Sequence, residues 1–189
     1  MRTAPLVEGI KEYKGLRSIS VLEGSLQFFP GLIIPVYALL FFQRANEIGW
    51  FLSYIAIIGL VIAVIVAHFS DKNQRRKRYI MILFLLLTLS IFSLAFASTS
   101  VVWIILVGIF SIIHYISLPL RLAVSMDTKK VDITFWQVRE IFLNIGRFIT
   151  LSISAVLFYY QIYWAVFVMF GVITLIYPFL VNYKLKEIR

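Results

Sequence analysis

Six long apolar stretches, at residues 18–42, 49–69, 79–97, 101–120, 138–160 and 162–182, take up nearly the whole of this 189-residue chain. Each is near the ~20 residues that a helix needs to cross the hydrocarbon core of a bilayer. An all-α integral membrane protein with six transmembrane helices is therefore expected. The stretches leave no room for a soluble domain, a linker or a low-complexity tract.

The charges between the stretches predict a topology. Of 18 Lys and Arg, four precede the first stretch (Arg2, Lys11, Lys14, Arg17) and five lie between the second and third (Lys72, Arg75, Arg76, Lys77, Arg78). Three lie between the fourth and fifth (Arg121, Lys129, Lys130) and three follow the sixth (Lys184, Lys186, Arg189). The alternate gaps hold only Arg44, because the turns at 98–100 and 160–161 carry no charge. Positively charged loops stay on the cytoplasmic side, so both termini are expected there, in a multi-pass protein of the cell (plasma) membrane. Trp50, Trp103 and Trp164 fall at the expected outer ends and Trp136 at an inner end, the headgroup level that an indole prefers.

Composition excludes other classes. With 61% hydrophobic and 14% charged residues, and a mean hydropathy of +0.94, the chain is far from a soluble-domain average. The net charge of +9 is dealt out to short loops, which suits anionic inner-leaflet lipids rather than nucleic acid. No Cys is present, so disulfides, thiolate catalysis and Cys-ligated metals are out, and two His far apart suggest no metal site. No cofactor is expected. The opening segment does not read as a cleavable signal, since its apolar run begins late and is long enough to span. Residues 1–17 are expected to form a cytoplasmic amphipathic segment on the membrane surface, 18–183 the six-helix domain and 184–189 a basic cytoplasmic tail. Pro119 is expected to end the fourth helix, ahead of a polar stretch at 121–137. A 3+3 division is plausible, with the first helix (Pro30, Pro35) and the fourth (Pro119) as counterparts.

The most specific local signal is the loop Ala67-His68-Phe69-Ser70-Asp71-Lys72-Asn73-Gln74-Arg75-Arg76-Lys77. It resembles the signature loop of the major facilitator superfamily: Gly, three residues, Asp, Arg or Lys, one residue, Gly, then two basic residues. Asp71, Lys72, Arg75 and Arg76 match in type and spacing, and Ala67 and Gln74 stand where the family has Gly. The resemblance implies that Asp71 is a gating latch, binding a neighbouring helix end and a basic side chain when the cytoplasmic side is closed. The plainer alternative is an Asp that caps the loop and arginines that anchor topology. Superfamily members usually have twelve helices in two halves. The fourth stretch lacks the Arg-x-x-Gln-Gly pattern of the amino-terminal half, the fifth has a single Gly146, and a charged segment precedes the first. The chain thus looks more like the carboxy-terminal half.

Candidate solute or coupling residues cluster in two stretches. In the fifth, Glu140, Asn144 and Arg147 are spaced i, i+4, i+7 and share one helical face. At about 1.5 Å per residue Arg147 lies some 15 Å from the cytoplasmic end, near mid-membrane. A cation there costs at least ~2.5 kcal/mol, so it should meet a partner or a water-filled cavity. Arg147 would bind an anionic group, with Asn144 lining the same cavity, or would be neutralised by Glu23 or another buried group simply to hold helices together. Arg139 and Glu140, nearer the interface, are expected to make ordinary surface pairs. In the first stretch Glu23 and Gln27 share a face, and Pro30 should bend the helix beside a cavity. Glu23 could carry a proton or pair with Lys14 or Arg17. His114 is either a packed, hydrogen-bonded residue or a relay.

The expectation is one half of a secondary transporter moving a small solute by alternating access against a second six-helix half, supplied by the same gene, a separate chain or a homodimer. The alternative is a non-transporting membrane protein, a remnant or scaffold on the same half-fold. No nucleotide-binding loop and no intramembrane-enzyme motif occurs, so no enzymatic activity is expected.

Overall fold

The computed structural model describes residues 9–11, 13–69, 76–126 and 133–187, and all of its regular structure among them is helical. Six long helices follow one another: α1 (Arg17–Ala38), α2 (Ala45–Phe69), α3 (Arg76–Leu94), α4 (Ser100–Met126), α5 (Ile133–Tyr159) and α6 (Tyr163–Glu187). A one-turn 3₁₀ helix, Tyr13–Gly15, precedes them. Among the described residues five are long and apolar enough to cross a bilayer, where six were expected. The exception is α3, which opens on Arg76-Lys77-Arg78 and leaves Ile80–Leu94 as a shorter apolar helix.

The outward surface agrees with a membrane setting. Ile57, Leu60 and Val64 on α2, Leu85 and Leu89 on α3, Phe148 and Val156 on α5, and Ile176 and Phe179 on α6 are all exposed. Exposed apolar surface on several helices is costly in water and suited to lipid.

Helix pairing is selective. α1 packs chiefly on α5 and also on α6; α3 packs on α6 and α4; α2 packs on α4. The tightest crossing is α1 on α5, where glycines let two backbones touch. A Cβ at Gly24 would collide with the Leu143 carbonyl, and one at Gly146 with the Val21 carbonyl. Ser25 Oγ donates across the gap to the Gly146 carbonyl (3.2 Å) and to its own Val21 carbonyl (3.0 Å). Small residues at such crossings allow the close approach that membrane helices rely on for packing.

Aromatic rings close the end of the bundle opposite the termini. Tyr37 lies against Trp103 (4.9 Å between centroids) and Phe167 (4.8 Å), and Phe41 stacks on Trp103 (5.4 Å). Trp103 is fully buried, so it is a core residue and not the interfacial anchor expected of it; Trp50 and Trp164 are exposed as anchors should be.

Proline acts differently in α1 and α4. In α1, Pro30 lacks an N–H, and the helix widens into a π-helical turn over Phe29–Ile33, where Ile34 N–H reaches the Phe29 carbonyl. α4 instead runs through Pro119 to Met126, so the expected stop at Pro119 is wrong. Membrane helices tolerate proline because neighbours re-satisfy the freed groups. The consequence is that Arg121, counted above as a loop charge, lies inside the helix and is fully buried. Phe135, which falls in the stretch read as polar, and Val138, at the start of the fifth apolar stretch, are buried on α5.

The segment before α1 folds into the bundle. Tyr13 and Leu16 are buried, with the Tyr13 ring stacked on Phe142 (5.8 Å) and edge-on to Phe135 (5.4 Å). Its hydroxyl is 2.7 Å from Ser20 Oγ. At least this part of residues 1–17 is packed against protein, where a surface segment lying on the membrane was expected.

Candidate functional site

Two polar sets lie along the α1–α5 interface, one above the other. Glu23 and Gln27 sit one turn apart on α1; Arg139 and Arg147 sit eight residues apart on α5. The lower set is sealed. Arg139 Nη2 donates to Glu23 Oε1 at 2.6 Å, with side-chain exposures of 8% and 5%. The Arg139 guanidinium also stands 5.5 Å from the Trp136 ring centroid. This replaces the surface pairing expected for Arg139 and the Lys14 or Arg17 partner expected for Glu23. Arg17 instead donates to the Ile10 carbonyl and lies 5.7 Å from the Phe142 ring centroid.

The upper set is half-open. Arg147 donates to Glu140 Oε1 (2.5 Å), to Asn144 Oδ1 (2.8 Å) and to Gln27 Oε1. Its side chain is 25% exposed and that of Glu140 52%. The i, i+4, i+7 spacing of Glu140, Asn144 and Arg147 thus produces one connected cluster, which Gln27 joins from α1. Arg147 is fourteen residues from Ile133 and twelve from Tyr159, so at about 1.5 Å per residue it lies close to the middle of α5. The cluster has a cation, an anion and two amides on a face that the six helices leave uncovered. Such a set can bind a polar or zwitterionic group, since Glu140 retains exposed carboxylate and Asn144 is exposed.

His114 does not join this cluster among the described residues. It is buried on α4, with its ring stacked on Phe110 (5.4 Å) and edge-on to Tyr115 (5.6 Å). That is a packing environment. Asp71, Lys72 and Arg75, the gating loop by resemblance, lie outside the described residues; Arg76 opens α3, and its side chain lies outside them too. No group of three or more potential metal ligands occurs among the described residues.

The residues that sequence reasoning undervalued are Arg121, Arg139 and Tyr177, all buried. A helical signal for two of them was available. Arg121 follows Ser117 by four and His114 by seven residues, putting it on the same buried face of α4. Arg139 shares a face with Phe135, Leu143, Gly146 and Thr150, the buried stripe of α5.

Compared with models of known families, with curated proteins and with solved structures, the chain matches none.

Proposed function

We propose that the chain is one half of a secondary transporter of the major facilitator type, with both termini cytoplasmic, and that the uncovered face of α1 and α5 lines its solute pathway. The observation that carries this reading is the Gln27–Glu140–Asn144–Arg147 cluster, hydrogen-bonded, partly exposed and near mid-helix. Facing lipid, such a set would be expensive, whereas facing a water-filled cavity or a second protein surface it is tolerated. The loop at 67–77 and the bias of Lys and Arg to alternate gaps support the family and the orientation.

Helix pairing supports a 3+3 repeat. Exchanging α1 with α4, α2 with α5 and α3 with α6 turns the α1–α5 pair into α4–α2 and the α1–α6 pair into α4–α3. It turns the α3–α6 pair into itself. All of these pairs occur. Inverted repeats of this kind place solute sites at the repeat interface, in helices whose regular hydrogen bonding is interrupted. The π-helical turn of α1 begins two residues after Gln27.

A second reading is favoured by one fact: Arg147 already has three acceptors, so the cluster could serve only to clasp α1 to α5 in a non-transporting protein. Cysteine accessibility separates the two, helped by the absence of native Cys. Asn144→Cys should react with a membrane-impermeant thiol reagent in intact vesicles, and Ile149→Cys, exposed on the opposite side of α5 from the cluster, should not. An Asn144→Cys protein inert to that reagent, or an Arg147→Ala protein whose reconstituted assembly moves solute as the wild type does, would count against the pathway.

A further inference from the structure

A second polar set lies deeper in the protein, drawn from α1, α4, α5 and α6. Glu23 and Arg139 are each six residues from the start of their helix, and Arg121 is five residues from the end of α4. At about 1.5 Å per residue all three lie within 10 Å of the helix ends nearest the termini, with Tyr177 of α6 about 15 Å in. Arg121 is within electrostatic reach of Glu23, Tyr177 and Arg139, and Tyr177 within reach of Glu23, Arg121 and Arg139.

Among the described residues of this set the charges do not balance. Two guanidiniums share one carboxylate, and that carboxylate's bonded oxygen serves Arg139. Arg121 Nε, Nη1 and Nη2, Arg139 Nε and Tyr177 Oη have no protein acceptor, against a single unfilled acceptor, Glu23 Oε2. A water molecule could satisfy some of these donors but would leave the excess positive charge buried, which is the larger cost. An anion would answer both. Arg121 and Tyr177 are 1% and 0% exposed, and Glu23 and Arg139 are buried as well, so a bound anion would be wholly enclosed, which favours a small one. One excess charge calls for a monovalent one.

We propose that Arg121, Arg139 and Tyr177, with Glu23 at the rim, form a closed binding site for a small monovalent anion of the halide class. The site is separate from the half-open cluster at Arg147 and stands whether or not the chain transports a solute.

The test uses the full chain in lipid nanodiscs, with chloride replaced by gluconate at constant ionic strength and the thermal midpoint followed. The midpoint should rise saturably with chloride, and radioactive chloride should bind at a single ion per chain. Arg121→Met should abolish the chloride dependence and unfold in gluconate no earlier than the wild type, because the uncompensated charge is gone. Tyr177→Phe, which keeps the ring, should weaken chloride binding by about ten-fold for the lost charge-assisted hydrogen bond. A wild-type midpoint indifferent to chloride, or a Tyr177→Phe protein with undiminished chloride binding, would overturn the site.

Discussion

A carboxylate and a guanidinium joined at 2.6 Å, each less than a tenth exposed, have exchanged their hydration for each other. Removing one partner strands the other, and breaking a buried pair in this way costs about 3–5 kcal/mol. Removing both removes the desolvation cost as well. Arg139→Leu and Glu23→Leu should therefore each destabilise the protein, Glu23→Leu more because it leaves Arg121 as well as Arg139 without a carboxylate, and the double substitution should recover part of the loss, as a double-mutant cycle of denaturant unfolding would show. Close by, burial raises the Tyr13 phenol above its ordinary value, with the Ser20 hydrogen bond and Arg139 opposing and Glu23 adding to the rise. A raised folded value means that the neutral phenol is favoured in the packed state. Its contribution is complete below the unfolded value of about 10 and is lost as pH climbs through the higher folded one. Proteolysis of the segment before α1 should accelerate in that alkaline window, and Tyr13→Phe should remove the acceleration.

Among elements, the α1–α5 crossing is the most exacting, because it is held by backbone contact and leaves no side chain free to adjust. Gly24→Leu or Gly146→Leu should separate the helices, break the Ser25 bridge and misplace both polar sets, costing several kcal/mol or the fold, with a small tryptic core as the readout. Gly49, whose added Cβ would meet nothing within 4 Å, is the control: Gly49→Ala should stabilise α2 by about 0.5–1 kcal/mol. Helix existence was legible from apolar runs alone, since every stretch became a helix. Their ends were less so, because Pro119 reads as a stop and only tertiary neighbours let α4 continue past it. The Glu140–Asn144–Arg147 face was legible because it is local to one helix. The Glu23–Arg139 pair was not: its members are 116 residues apart, and which arginine of α5 meets α1 depends on a crossing that the two glycines set.

For the whole molecule, the question is what covers the α1–α5 flank. Much of the remaining outward surface among the described residues is apolar and can face lipid, but Glu140, Asn144 and Arg147 cannot do so cheaply. If the proposed half-transporter reading is right, the working assembly contains a second six-helix unit across that flank, whether a second copy or another chain. Native mass measurement from nanodiscs formed without detergent stripping should then give more than one six-helix unit per particle. Joint replacement of Glu140 and Arg147 by Leu makes the flank more lipid-compatible without leaving a lone charge, and the remaining amides of Gln27 and Asn144 cost less to bury than a charge does. That variant should insert and remain folded, yet shift toward single units, because the cost that drove the face out of lipid has been removed. A wild-type particle of one chain, with Asn144→Cys still open to the impermeant reagent, would mean that the cluster is hydrated within a lone bundle. In that case the flank is a water-filled groove of a complete monomer, and alternating access against a second half loses its physical basis.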